Sequence, residues 1–160
     1  MKTRRDVLTY AAGLGGVAVA STLIPGSALA QTFEVTHTEA EWKKMLSKAE
    51  YKILRKKGTE RPGSSPLNKE KRAGTFNCRG CNLALYSSET KYESGTGWPS
   101  FWAPIDNAVL TRADNSFFMK RTEVICRRCG SHLGHVFKDG PKPTGLRYCM
   151  NGLAMTFVAA

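Results

Sequence analysis

The chain has 160 residues, of which 24 are Lys or Arg and 13 are Asp or Glu, for a formal net charge of +11. This length suits one domain with a modest core, and no repeat or second apolar span divides it. Such a charge would suit a nucleic-acid or anionic lipid surface, but the basic residues are scattered, with their densest group at 52–57 on a predicted helix. A solvated basic surface is therefore the better interpretation, and nucleic-acid binding ranks last among the functions considered.

Residues 1–30 have the pattern of a signal for export. Residues 3–8 (TRRDVL) form a twin-arginine signature, and a mild apolar stretch follows at 10–24. The small residues at 28–30 predict cleavage before Gln31 and a mature protein in the periplasm. The apolar stretch is shorter and less apolar than the run of about 20 apolar residues that a permanent transmembrane helix needs. We therefore expect no stable membrane insertion after cleavage. An uncleaved anchor or a disordered tail is the alternative.

The first predicted elements of the mature chain are two short helices. Thr38 and Glu41 have capping-box spacing ahead of apolar residues at helical intervals, and Ser47 and Glu50 repeat that spacing. The second cap predicts a break between the helices near Ser47. Residues 58–74, with many Gly, Pro, Ser and Lys, are typical of a surface loop.

From residue 75 onward the pattern changes to short β-type runs separated by turns. The predicted strands are 83–86, 109–112, 117–125, 136–137, 146–150 and 155–158. Helices first and strands afterwards indicate an α+β, mainly β domain with antiparallel sheet over residues 31–160, and not a βαβ fold.

Four of the five cysteines form two C-x-x-C pairs, which is the ligand set of a structural zinc site: Cys78, Cys81, Cys126 and Cys129. Each pair is expected in its own tight turn, so that Zn²⁺ would staple two distant hairpins. Four protein ligands leave no open position, which argues against zinc-dependent hydrolysis. Folding in the reducing cytoplasm before twin-arginine export would let the thiolates capture zinc, so zinc ranks above two disulfides.

The remaining cysteine, Cys149, is a candidate nucleophile because histidines lie elsewhere in the chain. If its segment is a strand, Arg147 and Asn151 lie on the same face as the thiol. The positive charge of Arg147 would favour the thiolate, with a structural ion pair as its alternative role. Asn151 would either hydrogen-bond the sulfur or fix the turn.

Three motifs in order resemble those of the B-type methionine sulfoxide reductases: GTGWPSF at 95–101, RCGSHLGHVF at 128–137 and RYCMN at 147–151. The similarity runs from about Trp42 to Phe157 and includes both C-x-x-C pairs. It implies a β-rich, zinc-stapled monomer that reduces the R epimer of methionine sulfoxide, either free or in oxidised proteins.

The resemblance also implies roles for single residues. His132 and His135 match the two family histidines, and His135 is the stronger candidate for protonating the sulfoxide oxygen. Zinc ligation by a histidine ranks low because four cysteines already fill the tetrahedron. Trp98 is expected to form a wall of the methyl-binding pocket, although a core anchor is its usual role. Asp139 matches an acidic position that orients a histidine or the substrate, and turn capping is nearly as good an interpretation.

Attack by Cys149 on the sulfoxide would leave a sulfenic acid that needs a second thiol for its reduction. Many family members carry a resolving cysteine where this chain has Thr96, and subtracting four ligands from five cysteines leaves no second thiol. Unless a zinc ligand doubles as the resolving thiol, an external, thioredoxin-like donor is therefore expected.

One departure from the family pattern is the run at 152–155, which follows Asn151 where the family usually has a serine-rich continuation. Gly152 there replaces a residue that could hydrogen-bond near the site. The glycine removes a hydrogen-bonding group and loosens the backbone, so lower activity or altered substrate preference is expected. A different class of function, a non-catalytic zinc-stapled module holding a ligand around Trp98, is the alternative. The joint presence of Cys149, Arg147 and both histidines argues against it.

Overall fold

The structure is a computed structural model that describes residues 32–160. The predicted signal at 1–30 and the predicted mature start at Gln31 lie outside the described residues. Within residues 32–160, none of the helices has the length and apolar character needed to cross a membrane.

Two helices open the described chain, α1 at Glu39–Met45 and α2 at Lys48–Lys56. The side chains of Thr38 and Ser47 each accept the backbone N–H of the glutamate three residues on, at 3.3 Å. That glutamate in turn accepts the N–H of the capping residue, at 2.7 and 2.8 Å. Both capping boxes therefore form, and the predicted pair of helices with a break near Ser47 is confirmed.

The rest of the chain forms two antiparallel sheets, as the α+β, mainly β prediction requires. One sheet has three strands in the order β2-β1-β9 and the other has six in the order β3-β4-β8-β7-β6-β5. The strands are β1 Gly74–Cys78, β2 Ala84–Ser87, β3 Lys91–Tyr92, β4 Ser100–Phe101, β5 Val109–Asp114, β6 Arg121–Cys126, β7 His132–Phe137, β8 Arg147–Met150 and β9 Met155–Ala159.

The sequence missed three of these strands and misplaced the starts of two others, one of them β7, which was predicted at 136–137 and begins at His132. β3 and β4 have two residues each, too few for an alternating pattern, and β1 runs directly into the first C-x-x-C turn. The predicted strand 117–125 begins only at Arg121, because Ser116–Phe118 forms a 3₁₀ turn. The predicted loop 58–74 likewise contains a 3₁₀ turn at Pro66–Lys69.

Side chains from both helices and both sheets share one buried core. Tyr86 of β2 stacks on Phe101 of β4 with ring centroids 4.3 Å apart, and its hydroxyl donates to Met150 Sδ at 3.1 Å. Met150 is buried in this core. Because successive residues of a strand face opposite sides, its neighbour Cys149 turns to the other face of the sheet, together with Arg147.

The register of the six-stranded sheet sets the neighbours of Cys149. β8 lies between β4 and β7, so Cys149 pairs with Ser100 on one side and with His135 on the other. A Cβ on Gly134, the residue before that histidine, would lie 2.1 Å from the Cys149 carbonyl oxygen. The glycine therefore allows the close approach of the two strands that carry the thiol and the imidazole.

Candidate active site and metal centre

The two C-x-x-C pairs lie in two turns of the same design. The β1–β2 turn carries the first pair and the β6–β7 turn carries the second. In each turn the carbonyl of the first cysteine, Cys78 or Cys126, accepts the N–H of the residue four positions on, at 2.8 and 2.9 Å. Those residues, Asn82 and Gly130, adopt left-handed φ values of 59° and 67°, which Asn and Gly tolerate best. Each turn thus aims two sulfurs at one point.

The four sulfurs converge on a position suited to a metal ion. Their Sγ atoms all lie within 4.8 Å of one another. The distance from Cys78 to Cys129 is 3.7 Å and that from Cys81 to Cys126 is 3.5 Å. Tetrahedral sulfurs about 2.3 Å from a metal would be about 3.8 Å apart, whereas a disulfide bond is about 2.05 Å long. The cysteines are thus unpaired and positioned to hold a metal, as the sequence predicts.

The metal centre is separate from the cavity around Cys149. Arg55 of α2 donates to the Cys129 carbonyl at 3.2 Å and stacks over Trp42 of α1 at 4.7 Å, so the helices pack against this end of the fold. None of the four cysteines of the metal centre lines the cavity described next. The arrangement therefore supports a structural role for the metal.

Cys149 lines a cavity of about 150 Å³, called the Cys149 cavity below. Its thiol is half-buried. The lining combines apolar rings with a few polar groups: Thr59, Trp98, Arg121, Gly134, His135, Phe137, Cys149 and Asn151. Of the residues that the sequence singled out, the structure brings Cys149, His135, Trp98 and Asn151 together here, whereas His132, Arg147 and Asp139 lie outside the lining.

Burial decides the acidity of Cys149. It raises the pKa of the thiol above the ordinary value of 9.0, although the Thr96 hydroxyl and the charge of Arg147 act in the opposite direction. The predicted effect of Arg147 is therefore present but is outweighed by desolvation. Without substrate the sulfur is held mainly as the thiol at neutral pH.

A chain of hydroxyl groups, missed by the sequence analysis, leads to the thiol. Thr96 Oγ1 lies 3.8 Å from Cys149 Sγ and 2.8 Å from Ser94 Oγ. Ser94 Oγ is 2.7 Å from the fully buried Ser100 Oγ, and Ser100 donates to the Trp98 carbonyl at 3.1 Å. Since Ser100 pairs with Cys149 across β4 and β8, the chain connects the thiol to the loop that carries Trp98.

Arg147 is held by Asp139 in a two-pronged ion pair. Its Nε and Nη2 donate to the two carboxylate oxygens at 2.9 and 2.7 Å, and its guanidinium lies over the Phe137 ring at 4.4 Å. The hydrogen bonds of Asp139 go to Arg147 and to neither histidine, which corrects the interpretation that Asp139 orients a histidine. Asp139 instead holds the charge that acts on Cys149.

His135 has a carboxylate partner that the sequence analysis did not find. Its Nε2 lies 2.7 Å from Asp114 Oδ2, and Arg121 donates to the same oxygen at 2.9 Å. Hydrogen bonds from Ser116 and then from His135 hold the pKa of Asp114 far below its ordinary value. Asp114 is therefore an ionised carboxylate that can only accept, so the proton of this hydrogen bond resides on His135 Nε2.

His132 lies behind His135 and not in the cavity. It is buried, its Nδ1 is 2.8 Å from Glu123 Oε1, and its ring centroid is 5.4 Å from that of His135. Burial lowers the pKa of His132. Although burial acts to raise the pKa of Glu123, hydrogen bonds from Arg112, His132 and Lys57 lower it to about 2. His132 thus contacts Glu123 and lies beside His135, and its predicted catalytic role stays a prediction.

Asn151 and Trp98 both bind the backbone of Glu60. The Asn151 Oδ1 accepts the Glu60 N–H at 3.0 Å, while its Nδ2 donates to the Leu133 carbonyl at 3.0 Å. Trp98 Nε1 donates to the Glu60 carbonyl at 3.2 Å. Of the two interpretations of Asn151, these contacts support fixing of the chain beyond Cys149. Trp98 is half-buried and lines the cavity, which is the predicted placement.

Gly152 fills a position with no room for a side chain. A Cβ there would lie 1.9 Å from Ser65 Oγ and 3.3 Å from Glu60 Oε1. Its backbone N–H donates to the Glu60 carboxylate. The glycine at this position therefore allows a close approach of the loop that carries Glu60 and Ser65.

A half-buried thiol beside an imidazole in a small cavity with aromatic walls, apart from a four-cysteine metal centre, is typical of an enzyme with a cysteine nucleophile. Comparison with known proteins specifies which kind. A model of the SelR domain family matches residues 46–159. The chain is 53% identical to the peptide methionine sulfoxide reductase MsrB of Methanosarcina mazei over 125 residues, covering 78% of this chain and 89% of that protein.

Two bacterial proteins of the same name give the same result. The identity is 50% over 126 residues with the one from Leptospira interrogans, covering 78% of this chain and 96% of the relative. With the one from Pseudomonas putida strain W619 it is 53% over 125 residues, covering 78% and 94%. The chain belongs to the SelR-domain family of peptide methionine sulfoxide reductases, and it reduces methionine sulfoxide.

Proposed function

We propose that the protein reduces the R epimer of methionine sulfoxide, free or within proteins, with Cys149 as nucleophile. The observation that supports this best is the Cys149 cavity itself, which joins the thiol, His135 and Trp98 in one small space. A non-catalytic ligand-binding module would not require the thiol and the paired imidazole, and relatives at about half identity are named as reductases.

In the first step, Cys149 Sγ attacks the sulfoxide sulfur and the sulfoxide oxygen is protonated. The sulfur–oxygen bond breaks as the oxygen passes to Cys149, which yields methionine and a Cys149 sulfenic acid. The sulfoxide gains two electrons and Cys149 loses two. Because burial raises the pKa of the thiol, Cys149 carries a proton at neutral pH. This proton ends on the oxygen of the sulfenic acid.

His135 moves that proton, with Asp114 as its support. Nε2 is engaged with the Asp114 carboxylate, which leaves Nδ1 as the nitrogen that takes up and releases a proton. The Asp114 carboxylate holds the ring through Nε2 while His135 takes the proton from the thiol. His135 then donates it to the sulfoxide oxygen.

Trp98 and Phe137 form the apolar walls that receive the methyl group and exclude water. Trp98 is held by its indole N–H, so its face has a defined orientation toward the cavity. A cavity of about 150 Å³ suits the small end of a methionine side chain more than a bulky substrate.

The sulfenic acid is reduced by two external thiols, which form a disulfide and release water. Thr96 occupies the position nearest the sulfur that a resolving cysteine would need, 3.8 Å from Cys149 Sγ. Subtracting the four residues of the metal centre from five cysteines leaves only Cys149 in the chain. A thioredoxin-like protein on the exported side is the donor we propose, and the enzyme acts as a monomer.

The metal is Zn²⁺, held by Cys78, Cys81, Cys126 and Cys129. Thiolate ligands with nearly tetrahedral spacing suit this ion. When bound it stabilises the fold by joining the β1–β2 and β6–β7 turns, and takes no part in the reaction.

The protein is exported to the periplasm by the twin-arginine signal at residues 1–30, with cleavage before Gln31. Oxidants reach envelope proteins first, so a repair reductase is useful there. The mass of the protein recovered from the periplasm tests this proposal. Chain that still carries residues 1–30 would contradict cleavage.

The central experiment is dithiothreitol-driven reduction of separate R and S methionine sulfoxide peptides, with the Cys149→Ser protein alongside. We expect turnover of the R epimer only, lost in the serine variant. Turnover of both epimers, or activity without the thiol, would contradict the proposal.

The recycling step has its own test in Thr96→Cys. The new thiol would lie beside the sulfenic acid, so one turnover without reductant should give an intramolecular disulfide visible by mass spectrometry. The wild-type protein should give none, and a disulfide there would overturn recycling by an external thiol.

A further inference from the structure

We propose that Glu60 is a positioning residue that sets the orientation of Trp98 and of the chain following Cys149. This inference deepens the proposed function and rests on it. Glu60 belongs to none of the motifs recognised in the sequence and is not among the predicted site residues. In the structure it connects two parts of the active site that lie far apart in the chain.

The backbone of Glu60 binds one group from each side of the cavity. Its carbonyl accepts the Trp98 indole N–H at 3.2 Å, and its own N–H donates to Asn151 Oδ1 at 3.0 Å. Thr59, the preceding residue, lines the cavity with both of them. A shift of this one peptide segment would therefore move the aromatic wall and the residue two places after the nucleophile together.

The Glu60 side chain holds that segment in place. It is 8% exposed, and its carboxylate accepts the backbone N–H of Gly152 and, at 3.2 Å, that of Leu153. These two donors open the 3₁₀ turn Gly152–Ala154, which starts directly after Asn151. The carboxylate thus supplies partners for N–H groups that the turn leaves unsatisfied.

The environment of the carboxylate makes these contacts strong. Burial raises the pKa of Glu60, and the interactions that oppose this are the two backbone hydrogen bonds, with no contribution from a cationic side chain. A buried carboxylate depends on such charge-assisted bonds for its solvation, so breaking one is costly. Gly152 fits this arrangement because a side chain there would meet Ser65 and Glu60 Oε1.

The consequence is specific to substrate binding. The Glu60 carboxylate accepts the N–H of Gly152, and the Glu60 carbonyl accepts the indole N–H of Trp98. The indole in turn forms the wall for the methyl group. The hydroxyl chain and the Arg147–Asp139 pair, which act on the thiol, do not include Glu60. Loss of the carboxylate should therefore weaken substrate binding more than it slows the chemical step.

Glu60→Gln tests this with minimal change of shape. It replaces one acceptor oxygen by an amide that faces a backbone donor. We expect the KM for a methionine R-sulfoxide peptide to rise about tenfold, as the loss of one charge-assisted bond implies, while kcat changes less than about threefold. In protein labelled with 5-fluorotryptophan, the ¹⁹F resonance of Trp98, assigned with Trp98→Phe, should shift.

Glu50→Gln is the matched control. Glu50 is also 8% exposed, and its carboxylate also accepts a backbone N–H, that of Ser47 at 2.8 Å. It caps α2 and pairs with Arg79, and its hydrogen bonds involve neither Trp98 nor Asn151. This variant should lower the melting temperature without moving KM or the Trp98 resonance. A purely structural role for Glu60 predicts the same behaviour in both variants, and that outcome would overturn the proposal.

Glu60→Asp keeps the test decisive if the glutamine variant does not fold. Its shorter carboxylate retains the charge but reaches the turn less well, so a smaller rise in KM and a smaller Trp98 shift are expected. Wild-type values of both would contradict the positioning role. Lack of turnover by the wild-type protein would instead refute the proposed function, and the Trp98 resonance would still report on Glu60.

Discussion

The metal centre and the Cys149 cavity both depend on cysteine, but they are assembled in different ways. Each half of the metal centre is a four-residue turn that forms from its own local hydrogen bonds, and only the pairing of the two turns is long-range. The cavity takes its lining from segments between Thr59 and Asn151, each contributing one to three residues. Sequence spacing therefore predicts the metal centre as a unit, whereas only strand register decides which of the candidate residues meet in the cavity.

The same comparison explains how one residue type serves two purposes. In the metal centre, four sulfur atoms lie around one position and can bind the same cation. In the cavity, the single sulfur faces a hydroxyl, an imidazole and aromatic rings, and burial keeps its pKa high. Mutations should therefore separate stability from catalysis between the two regions.

The largest effect is expected from breaking the metal centre. Cys126→Ser should remove the metal and lower the melting temperature by more than about 10 °C, because metal binding to four thiolates contributes many kcal/mol to folding. Metal analysis and calorimetry would measure both. Cys149→Ser is the control and should keep the metal and the melting temperature. Full stability of a metal-free Cys126→Ser protein would refute the structural role.

The next effect separates the two histidines. His135→Gln should lower kcat at least about a hundredfold, because it removes the group that moves the proton. His132→Gln should lower kcat about tenfold or less and should reduce stability, because it leaves the buried Glu123 without one hydrogen bond. Kinetics and thermal unfolding of both variants would check this. Equal kcat losses would place both imidazoles in the reaction.

A smaller effect concerns the pH dependence of the thiol. The pKa of Cys149 is raised by burial above 9.0, so the thiolate fraction grows as pH rises and alkylation should still accelerate beyond pH 9. Arg147→Met removes a charge that favours the thiolate, so its curve should move to higher pH. Iodoacetamide rates on the metal-loaded protein would show this. An inflection below pH 8 in the wild type would contradict it.

The raised pKa of Cys149 also makes the free energy of unfolding depend on pH. The folded protein holds the proton more tightly than the unfolded chain, so stability from this group is present below the unfolded pKa of the thiol. This contribution to stability declines as the pH rises from the pKa of the thiol in the unfolded chain to its pKa in the folded protein.

The smallest effect is expected at the Arg147–Asp139 pair. The Asp139 side chain is 60% exposed although that of Arg147 is only 12% exposed, so solvent screens the carboxylate and the pair contributes on the order of 1 kcal/mol. Asp139→Asn should therefore change kcat/KM by no more than about threefold and leave the melting temperature nearly unchanged. Steady-state kinetics at two salt concentrations would measure it. A loss as large as that of His135→Gln would assign Asp139 to the substrate.

Local patterns were predicted well because short-range chemistry determines them. Thr38 and Ser47 begin their helices through hydrogen bonds that span three residues, so the sequence sufficed. The C-x-x-C pairs and the alternation that puts Arg147 and Cys149 on one face have the same local origin. By contrast, β3 and β4 have two residues each and exist only because neighbouring strands pair with them.

The residues that sequence reasoning missed all act over long distances in the chain. Asp114 meets His135 because β5 and β7 both flank β6, and Ser100 meets Cys149 because β4 lies beside β8. An aspartate at a strand end or a buried serine has no signature of its own. The placement of His132 has the same cause, since burial next to Glu123 cannot be read from its position in the motif.

The sequence by itself determined the α+β class, the caps of both helices, the two metal-binding pairs and the single remaining thiol, because these follow from residue identity and spacing over a few positions. Only the tertiary structure decided which carboxylate supports His135, that Asp139 holds Arg147, and that Glu60 connects Trp98 to the chain beyond Cys149. Those contacts join segments that have no local preference for each other, and strand register and burial of the shared core bring them together.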